Sequence, residues 1–334
     1  MILARAPMRL PLGGGGTDLP AYYSEFGGSL LTAAIDKYVY VAVNRPPLDA
    51  KIRVKYSRSE LVDRVEDVQH DLVRPALMHL GLTEQIEIAS LADVSAGTGL
   101  GSSSSYLVAL LLGLEGLLGR RPSKKELAEL ACHVEMNLAG HPVGKQDQYA
   151  AAFGGVLAMD IDRDGCVSAV PVDLDEVTID ALEERVLLFA TGVERSANEM
   201  LTEQAGQLRR PDSGAVQAMH ETREIGGRIK DALLAGDIDG FGALLHEHWE
   251  AKKRRSDMVT RPEIDAWYAL ARNAGAAGGK LVGAGGGGFL MLYATPDAAC
   301  GVRDAMAVAG LTEMRFHFDL AGATVMTGLT AVPA

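Results

Sequence analysis

A chain of 334 residues, 48% hydrophobic and 23% charged, has room for two modest domains and the composition of a soluble globular enzyme. Its net charge of −12 argues against general binding to nucleic acid or to anionic membranes, so an anionic ligand must be met by locally focused positive groups. Cys132, Cys166 and Cys300 are scattered in no metal-binding spacing, and the N-terminus lacks the long apolar core of a secretory signal; both point to a cytoplasmic protein with reduced thiols.

Residues 2–10 are predicted to form a strand carrying Arg5 and Arg9, which runs into Pro11-Leu-Gly-Gly-Gly-Gly-Thr-Asp18. Consecutive glycines allow the backbone to pass close to a partner, and Asp18 is placed either to accept from sugar hydroxyls or to close an Asx turn. Residues 29–35 and 38–44 are β-branched-rich and read as paired strands, 52–56 as a further strand, and 72–80 as a short helix. His70 and His79 flank that helix without metal-ligand spacing.

The stretch Val94-Ser-Ala-Gly-Thr-Gly-Leu-Gly-Ser-Ser-Ser-Ser-Tyr106 follows an alternating strand at 86–91 and precedes an apolar run, 107–118, that reads as a buried helix. Gly97, Gly99 and Gly101 permit a sharp turn. The unpartnered N–H groups that open the helix, with the hydroxyls of Ser102, Ser103, Ser104 and Ser105, suit phosphate oxygens or a Mg²⁺ ion. A loop that merely caps a core helix is the competing reading. A dinucleotide fingerprint would want glycine where Ser102 stands, and a Walker loop would want a lysine that is missing here.

Ser123 and Glu126 form a capping-box signature opening a helix with Leu127, Leu130, Ala131, Val134 and Leu138 on one apolar stripe. Glu135 lies at the border of that stripe, either solvated or in need of a cation or metal. Gly140-His-Pro-Val-Gly-Lys-Gln-Asp-Gln-Tyr149 leads into an Ala-rich helix. Asp147 then either caps that helix or takes a proton from a substrate hydroxyl, with Lys145 beside it. A hairpin is expected over 154–172 and a strand over 185–190. Ser196 and Glu199 repeat the capping-box spacing, which sets Arg195 at a helix N-terminus as a second anion site. Helical patterns run to Lys252-Lys-Arg-Arg255, a cluster that reads as dipole-serving or as facing a cleft. A helix over 262–273 precedes Lys280-Leu-Val-Gly-Ala-Gly-Gly-Gly-Gly-Phe289, whose glycines suggest backbone packed tightly against the phosphate loop.

Three glycine stretches in this order, 5–18, 97–105 and 280–289, resemble the GHMP kinases over essentially the whole chain; proline, frequent at the start of the second motif, is replaced here by Ser95 and Ala96. The resemblance implies an α+β fold, with an N-terminal ATP-binding domain over 1–180, a ferredoxin-like C-terminal domain over 181–334, and the active site between them. It implies Asp147 as the catalytic carboxylate, with Lys145 among the catalytic residues and, together with Arg195, on the phosphate the substrate already carries, and Gly97, Thr98, Gly99, Leu100, Gly101, Ser102, Ser103 and Ser104 as the ATP-phosphate site. It implies Ser103 and Glu135 as Mg²⁺ ligands, and Arg9, Gly15, Gly16, Thr17, Asp18 and Arg195 as the substrate side. Segments 144–149 and 191–196 are similar to those of heptose 7-phosphate kinases and octose 8-phosphate kinases, which implies ATP, Mg²⁺ and a sugar phosphate phosphorylated at its anomeric hydroxyl. No nucleic-acid or membrane partner is expected, and a homodimer is compatible with the sequence. A regulator that holds sugar and nucleotide without transfer is the alternative of a different class; a sensor has little need for Asp147 and Glu135 together.

Overall fold

The computed structural model describes residues 1–193, 197–210 and 214–326. The first half contains, in order, β1 (Ile2–Gly13), α1 (Pro20–Phe26), β2 (Gly28–Asn44), β3 (Ile52–Lys55), β4 (Ser59–Val62), α2 (Val73–Leu80), β5 (Ile86–Ala92) and α3 (Ser102–Leu117). It continues through α4 (Lys124–Cys132), a π-helical segment His133–Leu138, α5 (Gln146–Phe153), β6 (Val156–Ile161) and β7 (Val167–Pro171). The second half adds α6 (Glu176–Arg185), β8 (Val186–Ala190), α7 (Ala197–Leu208), α8 (Ala215–Leu234), α9 (Ile238–Lys253) and α10 (Pro262–Asn273). It closes with β9 (Gly278–Leu281), β10 (Phe289–Tyr293), α11 (Pro296–Val308), β11 (Thr312–Met314) and β12 (Thr324–Val325).

Among the described residues the larger sheet has eight strands ordered β12-β1-β2-β5-β3-β4, with β6 and β7 attached to the other half of β2. Residues 29–35 and 38–44, expected to pair with each other, are instead one 17-residue strand. No glycine, proline or asparagine interrupts them. The break in pattern at Asp36 and Lys37 is a bulge: Pro7 faces Tyr38 while Met8 already faces Ile35. Proline has no N–H for the ladder, which explains why the register slips beside Pro7. The length of β2 lets β5 pair with its C-terminal half and β6 with its N-terminal half, so one strand carries both flanks of the site.

Helix α3 is buried on nearly every side, as an all-round apolar sequence requires, and rests on β1 and β2. The smaller sheet is antiparallel, ordered β11-β8-β10-β9, the strand order of a ferredoxin-like domain. Strand β9 was not expected from the sequence: its Gly278-Gly279-Lys280-Leu281 has poor strand propensity and is held by pairing with β10. The end of the described chain returns to the larger sheet, where Phe318 bridges to Ile35 and Thr324–Val325 pairs with Ala4 and Arg5 of β1. Among the described residues no helix is long and apolar enough to cross a membrane.

Candidate active site

The glycine-serine loop turns as its residues require, with Gly97, Gly99 and Gly101 all at positive φ (81°, 85° and 78°). Helix α3 begins at Ser102, earlier than the apolar run suggested, so the serines form its first turn; the N–H groups of Ser102, Ser103 and Ser104 have no intrahelical acceptor, and that of Ser105 donates to the Gly101 carbonyl. The third glycine stretch supports this loop from behind. A Cβ on Gly283 would lie 2.7 Å from the Gly99 Cα, and one on Gly288 would penetrate the Thr98 carbonyl. These glycines are there for close approach, as the sequence suggested.

Asp147 stands in the first turn of α5, beside that loop. Arg9, on β1, donates to both of its carboxylate oxygens, Nε to Oδ1 at 2.7 Å and Nη2 to Oδ2 at 2.8 Å, and also to the Gly99 carbonyl. The Arg9 side chain is 7% exposed and that of Asp147 25%, so the guanidinium is enclosed while the carboxylate reaches the cleft. A bidentate pair of this kind fixes the plane of the carboxylate, leaving lone pairs for a substrate hydroxyl.

Glu135 is fully buried. Ser104 Oγ and Gln148 Nε2 donate to its Oε2 at 2.7 and 2.8 Å, and Ser103 Oγ lies 3.4 Å from Oε1. The π-helical turn explains how it gets there. Its wider winding carries Leu138, predicted on the apolar stripe, out to 45% exposure while holding Glu135 inward. One carboxylate and one serine hydroxyl beside a phosphate cradle suit Mg²⁺, which keeps several waters and takes its other ligands from phosphate oxygens. Among the described residues no cluster of three or more His, Cys, Asp or Glu side chains could hold a metal unaided. His141 lies 3.8 Å from Glu135 and 3.0 Å from Asp71. Asp71, followed by Glu135, pushes its imidazole up to about 9, while His141 and His70 hold the Asp71 carboxyl below the usual range.

Asp18 accepts from the backbone N–H groups of Gly16 and Gln146, each at 3.0 Å. Burial raises its carboxyl above the ordinary value, opposed by the Gln146 N–H and reinforced by the nearby Asp147 charge. Gly144 lies so near that a Cβ there would overlap Asp18 Oδ2. Gly144→Ala therefore displaces this carboxylate without straining its own backbone. If Asp18 holds the acceptor substrate, kcat/KM for that substrate falls about 10- to 100-fold, the value of a charge-assisted hydrogen bond, and the KM for ATP stays within threefold, roughly the scatter of independent sites. Steady-state kinetics with each substrate varied in turn checks this.

Arg9, Gly15, Gly16, Asp18, Gly97, Gly99, Gly101, Ser102, Ser103, Ser104, Glu135 and Asp147 line one cleft of about 320 Å³. Four predicted residues do not line it. Thr98 turns its hydroxyl to the Ser95 carbonyl, and Leu100 is core. Thr17 is spent on the Gly14 and Ser29 carbonyls, which fixes the loop. Lys145, predicted among the catalytic residues and on the substrate's phosphate, faces a neighbouring cavity, with Nζ on the Gly165 carbonyl and 3.5 Å from Glu129. Consecutive helix-entry residues point in different directions, so adjacency to Asp147 did not bring Lys145 to the cleft. Arg195 and its capping-box serine lie outside the described residues. Arg9, predicted on the substrate side, lines the cleft and also clamps Asp147.

The cluster at 252–255 divides. Lys253 and Arg254 pair with Glu250 and Glu221 at the surface, whereas Lys252 and Arg255 are buried and line the cleft. His248 and Lys280 join them there, and the sequence reading missed both. Part of the signal was present: His248 and Lys252 stand at i and i+4 on one face of α9, and Arg255 follows in the turn just past its end.

The chain matches the GHMP kinases N terminal domain over residues 67–155 and the GHMP kinases C terminal domain over residues 229–309. It is 29% identical to the D-glycero-alpha-D-manno-heptose 7-phosphate kinase of Campylobacter jejuni over 88% of this chain and 90% of that one. It is 30% identical to a galactokinase of Mycobacterium tuberculosis, covering 66% of this chain and 68% of the relative. A crystal structure of a D-glycero-D-manno-heptose 1-phosphate kinase from Bacteriodes thetaiotaomicron superimposes with a TM-score of 0.82 at 27% identity, over 98% of this chain and 99% of that one. With three glycine loops, a clamped carboxylate and a buried glutamate converging on one cleft, the chain belongs to the GHMP kinase family and is a phosphotransferase with an alcohol group as acceptor.

Proposed function

We propose that the protein transfers the γ-phosphoryl group of ATP to the anomeric hydroxyl of a sugar phosphate, D-glycero-D-manno-heptose 7-phosphate in the first instance, giving the 1,7-bisphosphate. The observation that carries this reading is the Arg9-clamped Asp147, a carboxylate presented to the cleft beside a helix N-terminus suited to phosphate. The similarity to the Campylobacter jejuni heptose 7-phosphate kinase supports the choice of acceptor.

In this reading Asp147 accepts a hydrogen bond from the anomeric hydroxyl and takes its proton as the new O–P bond forms and the bond to ADP breaks. Arg9 keeps the carboxylate pointed at that hydroxyl. The N–H groups of 101–104 meet charge on the phosphoryl oxygens, and Asp18 orients the sugar. Little covalent work falls to the protein, and positioning and charge stabilisation dominate. Ser103 and Glu135 would hold Mg²⁺, which supplies charge neutralisation between the phosphates. Phosphorus NMR of the product tests the reading. The expected spectrum shows a second phosphate coupled to the anomeric proton, and a new phosphate on any other carbon contradicts it.

A further inference from the structure

His248, Lys252, Arg255 and Lys280, all buried, are among the residues that line the cleft. Lys280 Nζ donates to the Leu12 carbonyl and Arg255 Nη1 to the Gly15 carbonyl. Arg255 is thereby tied to the same loop that carries Asp18. Its remaining nitrogens, Nε and Nη2, are buried without a partner, and so are both ring nitrogens of His248. Among the described residues no side-chain carboxylate pairs with Arg255, Lys280 or His248. Buried donors left open cost free energy, and a guanidinium with an open fork costs more, unless a ligand completes them.

We propose that His248 and Arg255, backed by Lys280, bind the phosphate that the sugar substrate already carries. The inference rests on the sugar-phosphate reading above and names the part of the cleft that reads the phosphate. Two oxygens of a phosphate match the open Nε and Nη2 of Arg255 as a bidentate pair. His248 supplies a further donor from either ring nitrogen. The ATP phosphates have a separate cradle in the 97–104 loop, whereas Arg255 belongs to the wall formed by 13–18.

Electrostatics agree with an anion here. Burial, then Lys280, Arg255 and Lys252, holds the His248 imidazole neutral. Burial also lowers the Arg255 guanidinium to about 10, with Asp18 opposing, and lowers the Lys280 ammonium, with Arg255 and Arg9 adding to the effect. A dianion among them offsets this mutual repulsion.

The test compares Arg255→Met and His248→Gln with the unaltered full chain. Arg255→Met also removes the contact to Gly15, so His248→Gln, which breaks no protein hydrogen bond, guards against a moved loop. The readout is the ratio of kcat/KM for heptose 7-phosphate to that for unphosphorylated heptose. Each variant is expected to lower the ratio about 10- to 100-fold, the loss of one or two charge-assisted hydrogen bonds. Equal losses on both sugars, or an unchanged ratio in both variants, overturn the proposal; equal losses would assign the pair to the transferred phosphoryl group. Calorimetry with inorganic phosphate, in saturating Mg-ADP to fill the glycine-serine loop, separates this from failure of the sugar-phosphate reading. Should the unaltered chain turn over neither sugar, phosphate binding that both variants weaken supports the anion site alone, and binding they leave intact refutes it.

Discussion

Asp147→Asn is expected to lower kcat by about 10²- to 10⁴-fold, the span for removing a positioned general base. Asparagine keeps the shape and one acceptor but cannot take a proton. It also leaves Arg9, nearly buried, without its ionic partner, at a cost of about 3 kcal/mol in stability. The two effects separate by temperature. Measured well below the thermal midpoint the variant is folded, so the remaining deficit in kcat belongs to chemistry. Near-normal turnover under those conditions rules out the base role and leaves Asp147 as a structural partner of Arg9.

The second large effect is expected from a glycine far from the reacting atoms in sequence. Gly288 sits at φ 93°, and a Cβ there would overlap the Thr98 carbonyl of the phosphate loop. Gly288→Ala adds backbone strain of about 1–2 kcal/mol to an overpacking cost of about 1–3 kcal/mol. The loop relieves the overlap by moving, which weakens ATP binding together with the thermal midpoint. Gly119 is the matched comparison, since it too has positive φ (75°) but open space around its Cβ position. Gly119→Ala is expected to show the strain alone, with ATP affinity unaltered. Equal effects of the two substitutions on ATP binding, read by calorimetry, would show that the third glycine stretch does not support the loop.

These effects also show what was readable from sequence. The glycine loops were legible because close backbone approach admits few other residues, and Asp147 because a carboxylate in the first turn of a helix has few roles. Glu135 was visible only as a residue at the border of a stripe. Its burial depends on the π-turn at His133–Leu138, a winding change that no propensity marks. Lys145 misled because neighbours in sequence diverge at a helix entry, and its partners Glu129 and Gly165 come from other elements. The basic face of His248 and Lys252, with Arg255 just past the helix end, was legible in part as spacing, yet cations near a helix C-terminus usually serve the dipole. Only the packing of α9 against β9, which places Lys280 beside that face, distinguishes it from a solvated cluster.

The measurement that tests the central claim most directly is ADP release with Mg-ATP across four acceptors: heptose 7-phosphate, octose 8-phosphate, unphosphorylated heptose and galactose. A clear preference for a phosphorylated sugar, with heptose 7-phosphate first, is the predicted result. Bound nucleotide with no turnover on any of the four would contradict the account and favour a protein that holds sugar and nucleotide without transferring phosphate.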